Sequence, residues 1–179
     1  MASSATNKQP LLVDRPLHET ATIGDIAALT NASNFNTPSP SGCVLLVDCS
    51  ANEGAVLDSL SVLITQNGTA EVAVLAFLSG SSTASGINAL NTHFIAGIAI
   101  PSGNTAGQRL HVTLPPLTVP VPPLASPAAT MATYPTEIDK KNTGLYIPSG
   151  KCLYVGVATV ISTPSSATRV IAAAQGGYY

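Results

Sequence analysis

Hydrophobic residues in this chain come in short runs, alternating or continuous, separated by clusters of Gly, Pro, Asn and Ser. That period-2 pattern predicts strands and almost no helix. Residues 43–49, Cys-Val-Leu-Leu-Val-Asp-Cys, form a nearly unbroken apolar run, as expected of a strand covered on both faces. In the next run Val56, Asp58, Leu60, Val62 and Ile64 share one parity, and Leu57, Ser59, Ser61 and Leu63 the other. It stops at Asn67-Gly68, a dipeptide suited to the positive φ angles of a type I′ turn, so a hairpin returning through residues 71–78 is predicted. Further strands are expected at 94–100, at 110–114, at 145–147, at 152–160 with Leu153, Val155 and Val157 on one face, and at 168–174. Ile100-Pro101-Ser102-Gly103 is echoed by Ile147-Pro148-Ser149-Gly150, which reads as one turn chemistry used twice. Residues 80–86, Gly-Ser-Ser-Thr-Ala-Ser-Gly, read as a loop with no side chain able to fix it.

About eight short strands punctuated by Gly and Pro predict an all-β fold, an antiparallel β-sandwich. Two sheets of four would make it jelly-roll-like, although other Greek-key sandwiches share the pattern. Residues 1–42 are expected to lie outside the sandwich as an extended N-terminal arm, a possible short helix and a loop. Thr22 would cap that helix, with Asp25 near its positive end and Ile26, Ala27, Ala28 and Leu29 following. The sandwich domain is expected over 43–179. It is interrupted at 115–127, where six of the chain's 14 prolines fall. Without those amide donors a central strand or a helix is excluded, and an extended, proline-rich connector is expected.

Composition narrows the partners. The 179 residues are 45% hydrophobic and only 9% charged, with a formal net charge of -2, which suits a folded domain and not a disordered chain. Seven basic residues are spread along the sequence, so the clustered positive charge that binds phosphate backbones is missing and nucleic acid is not an expected partner. The apolar stretches at 70–78 and 94–100 are far shorter than the ~20 residues of a spanning helix, so no membrane is expected either. The first ten residues lack the apolar region of a signal peptide, which predicts synthesis and folding in a cytoplasm. Asn31-Ala32-Ser33 and Asn67-Gly68-Thr69 match the glycosylation pattern but have no meaning there.

The search for chemistry returns little. Cys43, Cys49 and Cys152 are an odd count without metal-type spacing. If 43–49 is extended, its two cysteines are roughly 20 Å apart, beyond disulfide reach, and Cys152 could pair with only one of them. Three buried, inert thiols are expected. Residues 48–54 faintly resemble the start of a calcium loop, but the glycine comes one position late and no bidentate glutamate follows. Residues 144–151 lack phosphate-loop spacing and read as a hairpin turn. His18, His93 and His111 fall in the arm and in two separate strands, with no zinc-type pair. No catalytic residue, metal or cofactor is therefore expected, and a binding or structural role is favoured over an enzyme such as a small cupin-like hydrolase.

The polar arm, the predicted hairpin over 56–78, the strand-turn-strand over 145–155 and the Gly176-Gly177-Tyr178-Tyr179 sequence together resemble the small virion proteins of tailed bacteriophages. The resemblance is strongest to jelly-roll cement or decoration proteins. It implies a homo-oligomer, a trimer, on the exterior of the capsid, binding the major capsid protein and bridging its subunits. On that implication the partner contacts would be Pro10, Leu11, Leu12, Val13 and Leu17 of the arm, and Pro115, Pro116, Leu117, Val119, Val121 and Leu124 of the proline-rich segment. A tail, baseplate or receptor-binding protein is the alternative, since it shares the sandwich fold.

Overall fold

In a computed structural model the chain is described over residues 15–23, 43–51, 53–67, 71–88, 90–112, 114, 144–157 and 169–179. These hold nine strands: β1 Arg15–Ile23, β2 Cys43–Asp48, β3 Gly54–Ile64, β4 Val72–Ser79, β5 Thr92–Ile100, β6 Arg109–Val112, β7 Leu145–Pro148, β8 Cys152–Val157 and β9 Val170–Tyr178. All pairings are antiparallel. Sheet I has the order β1-β9-β3-β6, with β7 also on β3, and sheet II has the order β2-β8-β4-β5. Among the described residues there is no α-helix, only a 3-10 turn at Ala84–Gly86.

The two sheets share one apolar core. Sheet I contributes Leu17, Ile23, Leu57, Leu60, Val62, Ile64, Ala172 and Ala174, and sheet II contributes Val47, Val72, Val74, Leu153, Val155 and Val157. Burying each large member removes it from water at a gain of roughly 1.5–3 kcal/mol. As expected, Leu153, Val155 and Val157 share the inward face of β8. Tyr154 and Cys152, on the opposite face, are equally buried in a second cluster with Cys43, Leu75, Phe77, Ile87 and Phe94. Sheet II is thus covered on its inner face and, around Phe77, Phe94 and Tyr154, on its outer one.

Several local expectations are corrected by how strands choose sheets. Residues 15–23 are not arm or helix start but the edge strand β1, paired along its whole length with β9. Thr22 lies opposite Ile171, while Leu17, Ala21 and Ile23 point into the core. The sandwich therefore begins at 15, not 43. Residues 25–29, expected to form a short helix, lie outside the described residues. The predicted 56–78 hairpin does not form either: β3 and β4 belong to different sheets, and 65–71 carries the chain between them. The strand-turn-strand at 145–155 is likewise a crossing, from β7 in sheet I to β8 in sheet II, not a hairpin. In β3 the predicted parity fails at Asp58, because the register against β9 steps from Leu57↔Gly176 to Ser59↔Gln175. That bulge turns Asp58 out to solvent and switches the inward set from Ala55 and Leu57 to Leu60, Val62 and Ile64.

The echoed tetrapeptide is borne out as one turn used twice. In both copies a buried Ile stands before the Pro at the end of a strand, the Pro carbonyl accepts from the residue three positions on, and a glycine takes positive φ. The bonds are Asn104 N to Pro101 O at 3.3 Å and Lys151 N to Pro148 O at 3.1 Å. The φ values are 80° at Gly103 and 76° at Gly150. Positive φ at the third residue is what a type II turn requires. Each turn also carries the chain from one sheet to the other, β5 to β6 and β7 to β8.

β6 and β7 run in the same direction along one edge of β3, with Leu60↔Val112 closing the first pairing and Leu57↔Leu145 opening the second. The two anchor points are three positions apart on β3, roughly 10 Å. They are one strand interrupted by residues 113–144, so the chain leaves and rejoins the sheet at nearly the same place.

Two outcomes are expected. Replacing residues 115–143 by a linker of about four residues, long enough to span that gap, should leave the sandwich folded, with a Tm within a few degrees of the full chain in thermal circular dichroism. Gly150→Ala places a side chain in open space but at unfavourable φ, and should lower unfolding free energy by about 1–2 kcal/mol in denaturant titration.

Candidate functional site

The three histidines do not converge. His18, His93 and His111 are exposed on β1, β5 and β6. Among the described residues no group of His, Cys, Asp and Glu could hold a metal ion. The three cysteines are buried thiols. Asp48, at the start of the calcium-like stretch, instead makes a local turn: its Oδ1 accepts from Ser50 N at 2.8 Å and from Cys152 Sγ at 3.3 Å. The Ser50 hydrogen bonds hold its carboxyl below the ordinary value. Burial is the main cause pushing the Cys49 and Cys152 thiols up to about 11, and the adjacent Asp48 carboxylate adds to it. A raised pKa leaves little thiolate at neutral pH, so these sulfurs are poor nucleophiles.

Two tyrosines are tied into the frame. Tyr178 of β9 lies under the Arg15 guanidinium, 4.4 Å from its ring centroid, and donates its hydroxyl to Glu19 Oε1 at 3.2 Å. Tyr154 of β8 donates to the Ser81 carbonyl at 3.1 Å. Burial first, then neighbouring negative charge, pushes both hydroxyls up to about 12.

The most organised surface feature is the β4–β5 loop, residues 80–91. Ile87 plugs the outer cluster of sheet II, beside Phe77 and Phe94, whose rings meet edge to face at 6.0 Å. Short polar side chains then fix the loop, contrary to the sequence expectation. Ser81 Oγ donates to the Thr83 carbonyl at 2.9 Å, and the buried hydroxyls of Ser79 and Thr92 meet at 2.8 Å across its base. Asn88 and Asn91 clamp each other's backbone: Asn88 N donates to Asn91 Oδ1 at 3.0 Å, and Asn91 N to Asn88 Oδ1 at 3.2 Å. Leu90 N also donates to Asn88 Oδ1, at 2.9 Å, and Asn91 Nδ2 reaches the Gly86 carbonyl at 2.8 Å. Ser, Thr and Asn side chains act this way because their oxygens reach backbone amides two or three residues away. Between the two asparagines Leu90 stands 93% exposed, and the only other exposed large hydrophobic among the described residues is Tyr146 at 43%.

Of the contact residues expected from sequence, Leu17 is corrected: it is 2% exposed and belongs to the core between the sheets, because alternation along β1 turns it inward. Pro10, Leu11, Leu12, Val13, Pro115, Pro116, Leu117, Val119, Val121 and Leu124 lie outside the described residues. The sequence reading missed Leu90. The signal was a large apolar residue inside an otherwise small and polar stretch, Asn88-Ala89-Leu90-Asn91. Comparison of the chain with protein-family models, curated proteins and solved structures returns no match.

The shifted groups predict the shape of stability against pH. Both thiols and both phenols hold their protons more tightly folded than unfolded, so their contribution is complete below the ordinary thiol value of 9.0 and is lost as pH rises through about 11 and then about 12. Asp48 acts oppositely, contributing above its ordinary value of 3.8 and losing that contribution as pH falls through its lowered one. Urea midpoints should therefore be level through neutrality and decline at both ends. Midpoints unchanged between pH 8 and 11 would contradict the alkaline assignment.

Proposed function

We propose that the sandwich is a jelly roll and that the protein is a structural component of a virus particle. The assigned role is a cement or decoration protein on the exterior of a tailed-phage head, holding major-capsid subunits together. The observation that carries the reading is the strand order. With β6 and β7 counted as one interrupted strand, eight strands form sheets ordered β1-β9-β3-β6/β7 and β2-β8-β4-β5. That interleaving of early and late strands is the double Greek key of jelly rolls, a fold frequent in capsid proteins, lectins and cupins.

The distribution of polar groups favours the first of these. A cupin-type metal centre needs histidines that converge, whereas these three point to solvent from three different strands. A low-charge surface acts through apolar burial and backbone pairing, and many weak contacts of that kind become firm when repeated over a lattice. The elements proposed to reach the capsid are Pro10 to Val13, just ahead of β1, and Pro115 to Leu124, within the segment that interrupts the β6/β7 strand. The protein would act as a homo-oligomer, with the trimer implied by the resemblance as the starting expectation.

A tail or receptor-binding role is kept as the second reading by Tyr146, half exposed on the edge strand β7 and able to stack on a sugar face.

Deleting residues 1–14, which stops short of β1, should leave the fold intact and abolish attachment to genome-emptied heads in a sedimentation assay. Full occupancy by the shortened protein would overturn the arm's assignment. Attachment of the intact protein to tails and not to heads would overturn the cement reading.

A further inference from the structure

The direction of Tyr146 is fixed by its neighbours in β7. Leu145 and Ile147 turn into the core, so Tyr146 between them points outward from sheet I, 43% exposed and opposite Val56 of β3. Its phenol end leans over Gly54, where an added Cβ would stand 3.3 Å from Tyr146 Oη and 2.8 Å from the Ile147 carbonyl oxygen. Gly54 also holds φ at 136°, which side chains rarely tolerate. Glycine inside a strand lets another group come close to the backbone, and here that group is the ring. Across Gly54 stands Tyr179, whose N donates to the Gly54 carbonyl at 3.0 Å. Tyr178 is turned inward, so Tyr179 follows on the outer side, half-buried.

The same face supplies polar groups. Exposed Glu53 precedes Gly54, while exposed Asp58 and Gln175 lie two positions beyond Val56 and its partner Gly177, roughly 7 Å along β3 and β9. Ser59 Oγ donates to Gln175 Oε1 at 3.4 Å, which leaves the amide N–H groups for a ligand. The cations of the described residues are engaged elsewhere. Arg15 lies over the Tyr178 ring, Arg109 reaches Ser61 Oγ at 3.2 Å, Arg169 pairs with Thr65 at the opposite end of β3, and Lys151 Nζ lies by Gly80.

We infer that this part of sheet I binds an uncharged glycan, with one sugar ring stacked on Tyr146 and hydroxyls of the glycan held by Glu53, Asp58 and Gln175. A sugar offers an apolar C–H face to an aromatic ring and hydroxyls around its rim, which suits an amphipathic tyrosine bordered by polar groups. Carboxylates only accept hydrogen bonds, and hydroxyls donate to them. A proline-rich peptide would also stack on tyrosine, but its prolines have no N–H to give. Two carboxylates without a neighbouring cation repel acidic or phosphorylated glycans. A protein partner would want apolar area, and Tyr146 is the only exposed large hydrophobic among the described residues of sheet I.

The site rests on the stacked sugar of the second reading but not on a tail, and purified protein alone tests it. On an array of bacterial polysaccharides and neutral hexose oligomers, the intact chain should be retained by uncharged glycans in preference to sulfated or sialylated ones. Tyr146→Ala should weaken binding to the best-retained glycan about tenfold, whereas Tyr146→Phe, which keeps the ring face, should stay within about threefold of the parent. Asp58→Ala and Gln175→Ala, at exposed positions that leave the core untouched, should each weaken it severalfold with an unchanged Tm. Retention of no uncharged glycan, retention indifferent to Tyr146, Asp58 and Gln175, or retention of a proline-rich peptide alone overturns the site. A chain that attaches to tails yet binds no glycan would overturn the site and leave the second reading standing. A glycan bound through Tyr146 by a chain found only on heads would do the reverse.

Discussion

The sandwich depends on the last strand entering the middle of a sheet. β9 lies between β1 and β3, bonded to both, so sheet I has no continuity until residues 170–178 are in place. Its sequence suits that position. Val170, Ala172 and Ala174 face the core, small enough for the opposing sheet to approach closely, and Gly176 and Gly177 add no bulk where β3 bulges. The end of the strand is then fixed sideways, with Arg15 over the Tyr178 ring and Glu19 accepting its hydroxyl. Residues more than 150 positions apart in sequence therefore close one sheet. Such non-local pairing is entropically expensive before it is rewarded, which places this chain among slow-folding topologies.

What the sequence makes legible is the existence of most strands, because a half-buried or fully buried strand must write its burial into residue spacing. Leu153, Val155 and Val157 illustrate this. The choice of sheet is not written there. Asn67-Gly68 is compatible with a tight hairpin, and so is a chain that crosses to the other sheet with Asn67 Oδ1 accepting from Ala106 N at 2.9 Å. β1 was hidden for another reason. An edge strand with one solvated face carries Arg15, Pro16, His18 and Glu19, and so looks like a polar arm until its partner is known. Asp58 shows a third limit: a single bulge residue shifts parity by one, and only pairing with β9 reveals which residue is extra.

The candidate surface was less legible than the fold. Small hydroxyl and amide side chains read as a formless loop when taken one at a time. Their rigidity appears only when Ser81, Thr83, Asn88 and Asn91 are seen to satisfy backbone groups of one another's turn. The absence of charge from Val72 to Ile100 was readable from the start.

The interrupted strand has a mechanical corollary. A load applied through residues 113–144 would enter the sheet at Val112 and Leu145, in the middle of the β3 edge. It would pull β6 and β7 away in opposite directions, breaking their short ladders one hydrogen bond at a time, as a zipper opens. A load carried along β9 would instead have to shear two nine-residue ladders at once. The molecule thus has a compliant direction and a stiff one, and a tether on the inserted segment would act as a yielding strap while the sandwich behind it kept its shape.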